Sequence, residues 1–402
     1  MSTSFYTQLL AVSLFIVLIG CDRSTQVEVA PTTLPPVDVA SSTNSKSNIS
    51  DEEANTFATH WIGALERQDS RAGSQLIAWR YIVGQSLATF NISDKEKTAI
   101  TDGFMTSTSQ LVGEIANVSK RGGDYRFVHV LRRGGAPYVL FRINDPELGF
   151  NYHQLRLRKV NGKVEADQFF TAVTGEEMSE TLRNLLAPSV ESMSVLGKLS
   201  GAQKTALENL KMQKNMKAAI ERGQPTAALQ IYQEMPDEVK KSKMSMLHRI
   251  TATPVEDEEA YATAINEFLE LFPDDASVGM VTLDSAVIKN DPELLLQGYD
   301  ALQKWTGGDP FLSLMVAANL AIMGRKEKAK ELVSSIDVDS LGMSDGHDYR
   351  LTVALEIGDH AEVLKQLRIL KDEYGYAIED LRGVEGYEDF VNSEEFKQWS
   401  NQ

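Results

Sequence analysis

Five residues that end helices recur along the second half of the chain: Gly223, Asp257, Asn290, Gly324 and Gly358, at successive intervals of 34, 33, 34 and 34 residues. Each is followed five positions later by an apolar residue, Ala228, Ala262, Leu295, Ala329 or Val363. Spacing this regular argues against one irregular core over the stretch. It predicts a stack of similar two-helix units that bury their apolar sides on their neighbours. Gly or Asn accepts the left-handed conformation that closes the first helix of a unit. The small residue lets the second helix approach the first. Ala219, Ala286, Leu320 and Ala354 stand four before a breaker, as core positions of first helices. Tyr232, Tyr299 and Leu367 fall one helical turn after the small residue, and Phe268 replaces Asn266 in that role. Asp257 is the poorest breaker, and Thr251–Glu256 predicts an irregular second unit.

The period resembles that of the tetratricopeptide (TPR) family, from Asn209 to Ala377. The family's Trp-Leu-Gly of the first helix is absent, and Pro273 and Pro310 stand near its repeat-end proline. The resemblance implies an all-α solenoid over 200–402 that binds a protein partner. Met212, Met216, Met244 and Met246 read as core filler. Tyr387, Phe390, Phe396 and Trp399 predict a capping helix that covers the last unit. Residues 200–402 carry 21 Lys+Arg against 36 Asp+Glu, most of the chain's net charge of -17. That excess suits a basic or amphipathic partner or serves solubility. It excludes nucleic acid, whose phosphates need a positive surface.

At the other end, Leu9 to Ile19 is an apolar run broken only by Ser13. It is shorter than the ~20 residues of a bilayer span and fits the apolar region of a signal peptide over 1–20. Leu18-Ile19-Gly20-Cys21 resembles the lipobox of bacterial lipoproteins, although nothing before Cys21 is charged. The resemblance implies that Cys21, the only cysteine, is acylated and becomes the first mature residue. Several acyl chains on one residue hold a membrane stably. Asp22 resembles an inner-membrane retention signal and favours the inner over the outer membrane of the cell envelope. Residues 21–50, with Pro31, Pro35 and Pro36, predict a disordered tether with a reach of ~30 Å.

Between tether and repeats, residues 51–190 predict an α+β domain. Phe57, Trp61, Ile62 and Leu65 share a helix face, as do Leu76, Ile77, Tyr81, Ile82 and Leu87. Ser93 with Glu96 predicts a capping box that opens a third helix running toward Leu111. Four antiparallel strands follow, Tyr125–Arg133, Tyr138–Asn144, Tyr152–Val160 and Val164–Val173, with an Asn161-Gly162 hairpin. A closing helix is expected over Glu176–Leu186. The element order resembles the NTF2-like superfamily. Arg126, Arg132, Arg142, Arg156 and Arg158 lie in the strands, and parity puts Arg126 with Arg132 and Arg156 with Arg158. They predict a basic sheet face, either simply solvated or docking on anionic lipid or an acidic protein.

NTF2-like folds carry catalytic or ligand pockets in some members. The candidates would be Tyr125, His129, His153 and Asp167, but their spacing is no acid–base motif. His60, His248, His347 and His360 lie far apart and show no metal-ligand spacing. No phosphate loop, nucleophile elbow or HExxH motif occurs. No catalytic residue, metal or cofactor is assigned. The expectation is a lipid-anchored envelope scaffold that binds another envelope protein. The alternative is an NTF2-like ligand-binding or enzymatic domain that uses the repeats to dimerise.

Overall fold

The structure is a computed structural model that describes residues 49–183 except 146–148, residue 186, and residues 211–400 except 214, 221, 255–256, 274–275 and 379. The expected signal peptide, Cys21 and the tether lie outside the described residues, as does the predicted domain boundary at 190–200. The described residues form two compact units. The N-terminal unit ends at Ala252 and the C-terminal unit begins at Thr253.

The N-terminal unit opens with helices α1 (Asp51–Glu66), α2 (Ser70–Ser74), α3 (Trp79–Leu87), α4 (Asp94–Met105) and α5 (Thr108–Ala116). Ser50 and Glu53 form a capping box on α1. Ser93 and Glu96 form the predicted one on α4, where Glu96 N–H donates to Ser93 Oγ at 3.3 Å and Ser93 N–H donates to Glu96 Oε2 at 2.8 Å. The expected third helix breaks at Thr106 and Ser107, whose hydroxyls donate to the carbonyls of Gly103 and Phe104. Leu76 and Ile77 are not helical. Ile77 makes a parallel bridge to Ala166, so an apolar pair at helical spacing is used as a strand edge.

The sheet follows as β1 (Asp124–Arg133), β2 (Ala136–Asp145), β3 (Gly149–Val160), β4 (Lys163–Thr171) and the two-residue β5 (Glu176–Glu177). It is an antiparallel meander in sequence order. The Asn161-Gly162 turn has φ of 51° and 80°, the pair of left-handed residues that a tight hairpin requires. β5 stands where the closing helix was expected to begin, and residues 178–183 then turn helical. Phe141, Leu155, Leu157, Ala166 and Phe169 pack with Trp61, Ile82 and Leu87 in one core between helices and sheet.

Helical residues 211–213 and 215–220 follow, then helices α6 (Pro225–Glu234) and α7 (Lys243–Ala252), with a four-residue helix at Asp237–Lys240 between them. The C-terminal unit is all-helical: α8 (Glu258–Leu271), α9 (Ala276–Lys289), α10 (Pro292–Thr306), α11 (Pro310–Ile322), α12 (Lys326–Val333), α13 (Ser344–Ile357), α14 (His360–Asp372) and α15 (Glu394–Ser400).

The 34-residue period is written in the backbone. Gly223, Asn290, Gly324 and Gly358 have φ of 66°, 52°, 79° and 74°. At each, the following N–H bonds back to the carbonyl of Ala219, Ala286, Leu320 or Ala354, at 2.8 to 2.9 Å. The breaker's own N–H bonds to Ile220, Val287, Ala321 or Leu355. This is a Schellman turn repeated at equivalent positions. Asp257 does otherwise: its φ is -91°, and its carboxylate accepts from Ala260 N–H to cap α8. The residues five after the breaker are buried at Ala228, Leu295, Ala329 and Val363, while Phe268 takes the core place beside Asn266. Phe390, Phe396 and Trp399 close the end of the helix stack in one cluster with α13 and α14. The expected capping helix is a single 3-10 turn at Phe390–Asn392 followed by α15.

Gly324→Ala puts a Cβ on a left-handed residue and should destabilise the C-terminal unit by ~1–2 kcal/mol. Chemical denaturation checks this. An unchanged midpoint would mean that the turn carries no strain against an L side chain.

Candidate functional site

The register puts Arg126, Arg142, Arg156 and Arg158 on one face of the sheet, as expected, and Arg132 on the other. β1 carries a bulge between Phe127 and His129, which adds one residue and reverses parity. Arg126 therefore pairs across to Arg142, whereas Arg132 aligns with Pro137, on the side of Val139 and Phe141. There Arg132 reaches α1, donating to Ile49 O at 2.8 Å and to Asp51 Oδ1 at 2.6 Å. Arg142 is 4% exposed. Arg156 and Arg158 do share a side, but each faces an acid: Asp167 at 2.7 Å and Glu165 at 2.8 Å. Arg158 also lies 4.0 Å over the Tyr81 ring. Arg126 is held by Asp124 at 2.5 Å. Only Asp124 lies on the same strand as its arginine; the other paired acids lie on β4 or α1, and the bulge has no sequence mark.

His153, on β3, faces the core side of the sheet, whereas Asp167, on β4, pairs with Arg156 on the other face. His153 aligns with Phe141 and Thr171. Its ring stands 4.6 Å from Phe169 and 5.7 Å from Tyr125. Asp167 sits in a second bulge opposite Arg156. The inner side of the sheet is filled by Phe127, Phe141, Phe169 and Trp61, whose Nε1–H donates to the buried Tyr125 hydroxyl at 3.3 Å. Burial pushes the Tyr125 hydroxyl up and His153 down to about 3. His153 Nδ1 has no hydrogen-bond partner. His129 lies on β1 opposite Leu140. The register sets His153 and Asp167 apart, and neutral His153 is poised for packing.

His248 in α7 is buried without a partner on either ring nitrogen. Burial, and then Lys217 nearby, push it down to about 4. In the C-terminal unit, burial pushes Asp284 up to about 7 and Asp348 up to about 6. Asp348 accepts from the Tyr376 hydroxyl at 3.1 Å. His347 is buried with Nδ1 2.8 Å from Gln366 Oε1. His60 is exposed on α1 and His360 opens α14. Among the described residues no group of three or more His, Cys, Asp or Glu is placed to hold a metal ion. No described helix is long and apolar enough to cross a membrane.

Part of the acidity of the C-terminal unit is spent locally. Asp257, Asp291, Asp309 and Asp359 each accept backbone N–H groups at the start of α8, α10, α11 and α14. An N-terminal carboxylate is favoured there by the helix dipole and satisfies orphan donors.

No protein-family model, curated protein or solved structure matches the chain.

Proposed function

We propose that the protein is a lipid-anchored scaffold of the bacterial cell envelope, whose TPR-like helix pairs bind another envelope protein. The observation that supports it best is the Schellman turn at Gly223, Asn290, Gly324 and Gly358, four of the five places set by the 34-residue period, each with a buried apolar residue five positions on. Stacked helix pairs offer long, regular surfaces for a partner and no reacting groups of their own. Cys21 supplies the anchor through its lipobox-like context, and the Pro-containing segment after it supplies reach. The alternative, an NTF2-like ligand or catalytic pocket, called for a polar cavity with His153 and Asp167 together. The aromatic packing around His153 weighs against it.

Photo-crosslinking side chains at the exposed positions Asn266, Gln297 and Glu327 are expected to trap one envelope protein in intact membranes. If these positions trap nothing while Thr59 or Arg126 traps a protein, the repeats are not the binding surface.

A further inference from the structure

A cleft of about 610 Å³ opens beside α1, lined by residues of α1, α2 and β1. Its apolar lining includes Ile62, Leu76 and Phe127, which pack on the core and stay partly exposed. Arg67, the residue after α1, also lines the cleft. Gly63 lies one helical turn before it, and a Cβ there would come 3.0 Å from Arg67 Nη1. The missing side chain thus lets the guanidinium fold back along the helix against Gly63, within the lining of the cleft. Among the described residues no carboxylate or carbonyl pairs with that guanidinium. Arg126, already on Asp124, and Thr59, His60 and Glu66 complete the polar lining.

A guanidinium presents a planar fork of donors that fits a carboxylate or sulfonate. A concave apolar floor of this size holds the hydrocarbon or aryl body of such a ligand. We propose that this cleft binds an amphipathic organic anion, with its apolar body on Ile62, Leu76 and Phe127 and its anionic end on Arg67. The lining residues of the cleft, from Ala58 to Phe127, include none of the repeats.

The test is a fluorescence titration of the full chain with 8-anilinonaphthalene-1-sulfonate, an aryl sulfonate that brightens in apolar surroundings. One saturable site is expected, displaced by octanoate and not by octyltrimethylammonium. Arg67→Gln should weaken it about tenfold, the loss of a charged hydrogen bond. Gly63→Ala should weaken it about threefold by displacing the guanidinium, while making α1 slightly more stable. Its affinity loss therefore cannot come from unfolding. Arg80→Gln, whose guanidinium pairs with Asp102 at 2.9 Å away from the cleft, should leave affinity unchanged. Absence of saturable binding overturns the proposal. So does equal affinity in the Arg67→Gln and Gly63→Ala proteins, or equal displacement by the cationic amphiphile.

Discussion

Acidification from pH 7.5 to 4.5 should weaken the N-terminal unit and strengthen the C-terminal one. His153 and His248 are buried neutral, with pKa values pushed down to about 3 and about 4. The unfolded chain takes up a proton on each near the ordinary histidine value of ~6.5. Their contribution is therefore complete above that pH and is lost as pH falls toward the folded values. The slope is ~1.4 kcal/mol per pH unit for each ring, or ~2–3 kcal/mol apiece by pH 4.5. Asp284 and Asp348 have the opposite sign. Their folded values lie above the unfolded carboxylate value, so they oppose folding at neutral pH and cease to do so as they protonate below about 7 and about 6. Native-state hydrogen exchange reads the two units separately. His153→Leu should flatten the acid response of the N-terminal unit and stay within ~1.5 kcal/mol of the parent at pH 8. A parent whose N-terminal unit is equally stable at pH 6.5 and 4.5 would contradict the buried neutral rings.

Phe390→Ala should destabilise the C-terminal unit by ~3–5 kcal/mol. Its ring is 1% exposed and touches Phe396 at 5.7 Å, His360 at 6.0 Å and Tyr387 at 6.4 Å between ring centroids. Truncation leaves a cavity under α15 and uncovers the apolar side of α13 and α14. In the proposed stack, where each unit contacts only its neighbours, an opened end weakens the last unit first. Thermal unfolding followed by helical circular dichroism should show the loss. A shift of less than ~1 kcal/mol would mean that the aromatic cluster packs on the helix stack without capping it.

The features readable in the sequence are those fixed by backbone demands on single residues. Gly223, Asn290, Gly324 and Gly358 must take positive φ, and a two-residue hairpin wants Asn161-Gly162, so both left a mark. The Ser93–Glu96 box is similarly local. Features set by distant partners left none. Leu76 and Ile77 look helical by spacing, yet Ala166 claims them for a strand edge. The extra residue between Phe127 and His129 moves Arg132 to the helix side, which no parity count reveals. Asp257, Asp291, Asp309 and Asp359 add to an acidic total that looks like a groove, while each caps a helix. The cleft was invisible for the same reason. Gly63 and Arg67 are one turn apart in sequence, but Leu76 and Phe127 join them only in the fold.

The measurement closest to the central claim is affinity capture from bacterial membranes with the full-length protein, carrying the acylation proposed at Cys21. A Cys21→Ser form and a chain ending at Ala252, the boundary between the two compact units, run alongside. The scaffold account predicts one envelope protein recovered with the full chain, lost from the chain ending at Ala252, and reduced in the Cys21→Ser form as that protein leaves the membrane. Recovery of the same protein by the chain ending at Ala252, which keeps only the first of the repeated turns at Gly223, would contradict binding by the repeat array and assign it to the N-terminal unit.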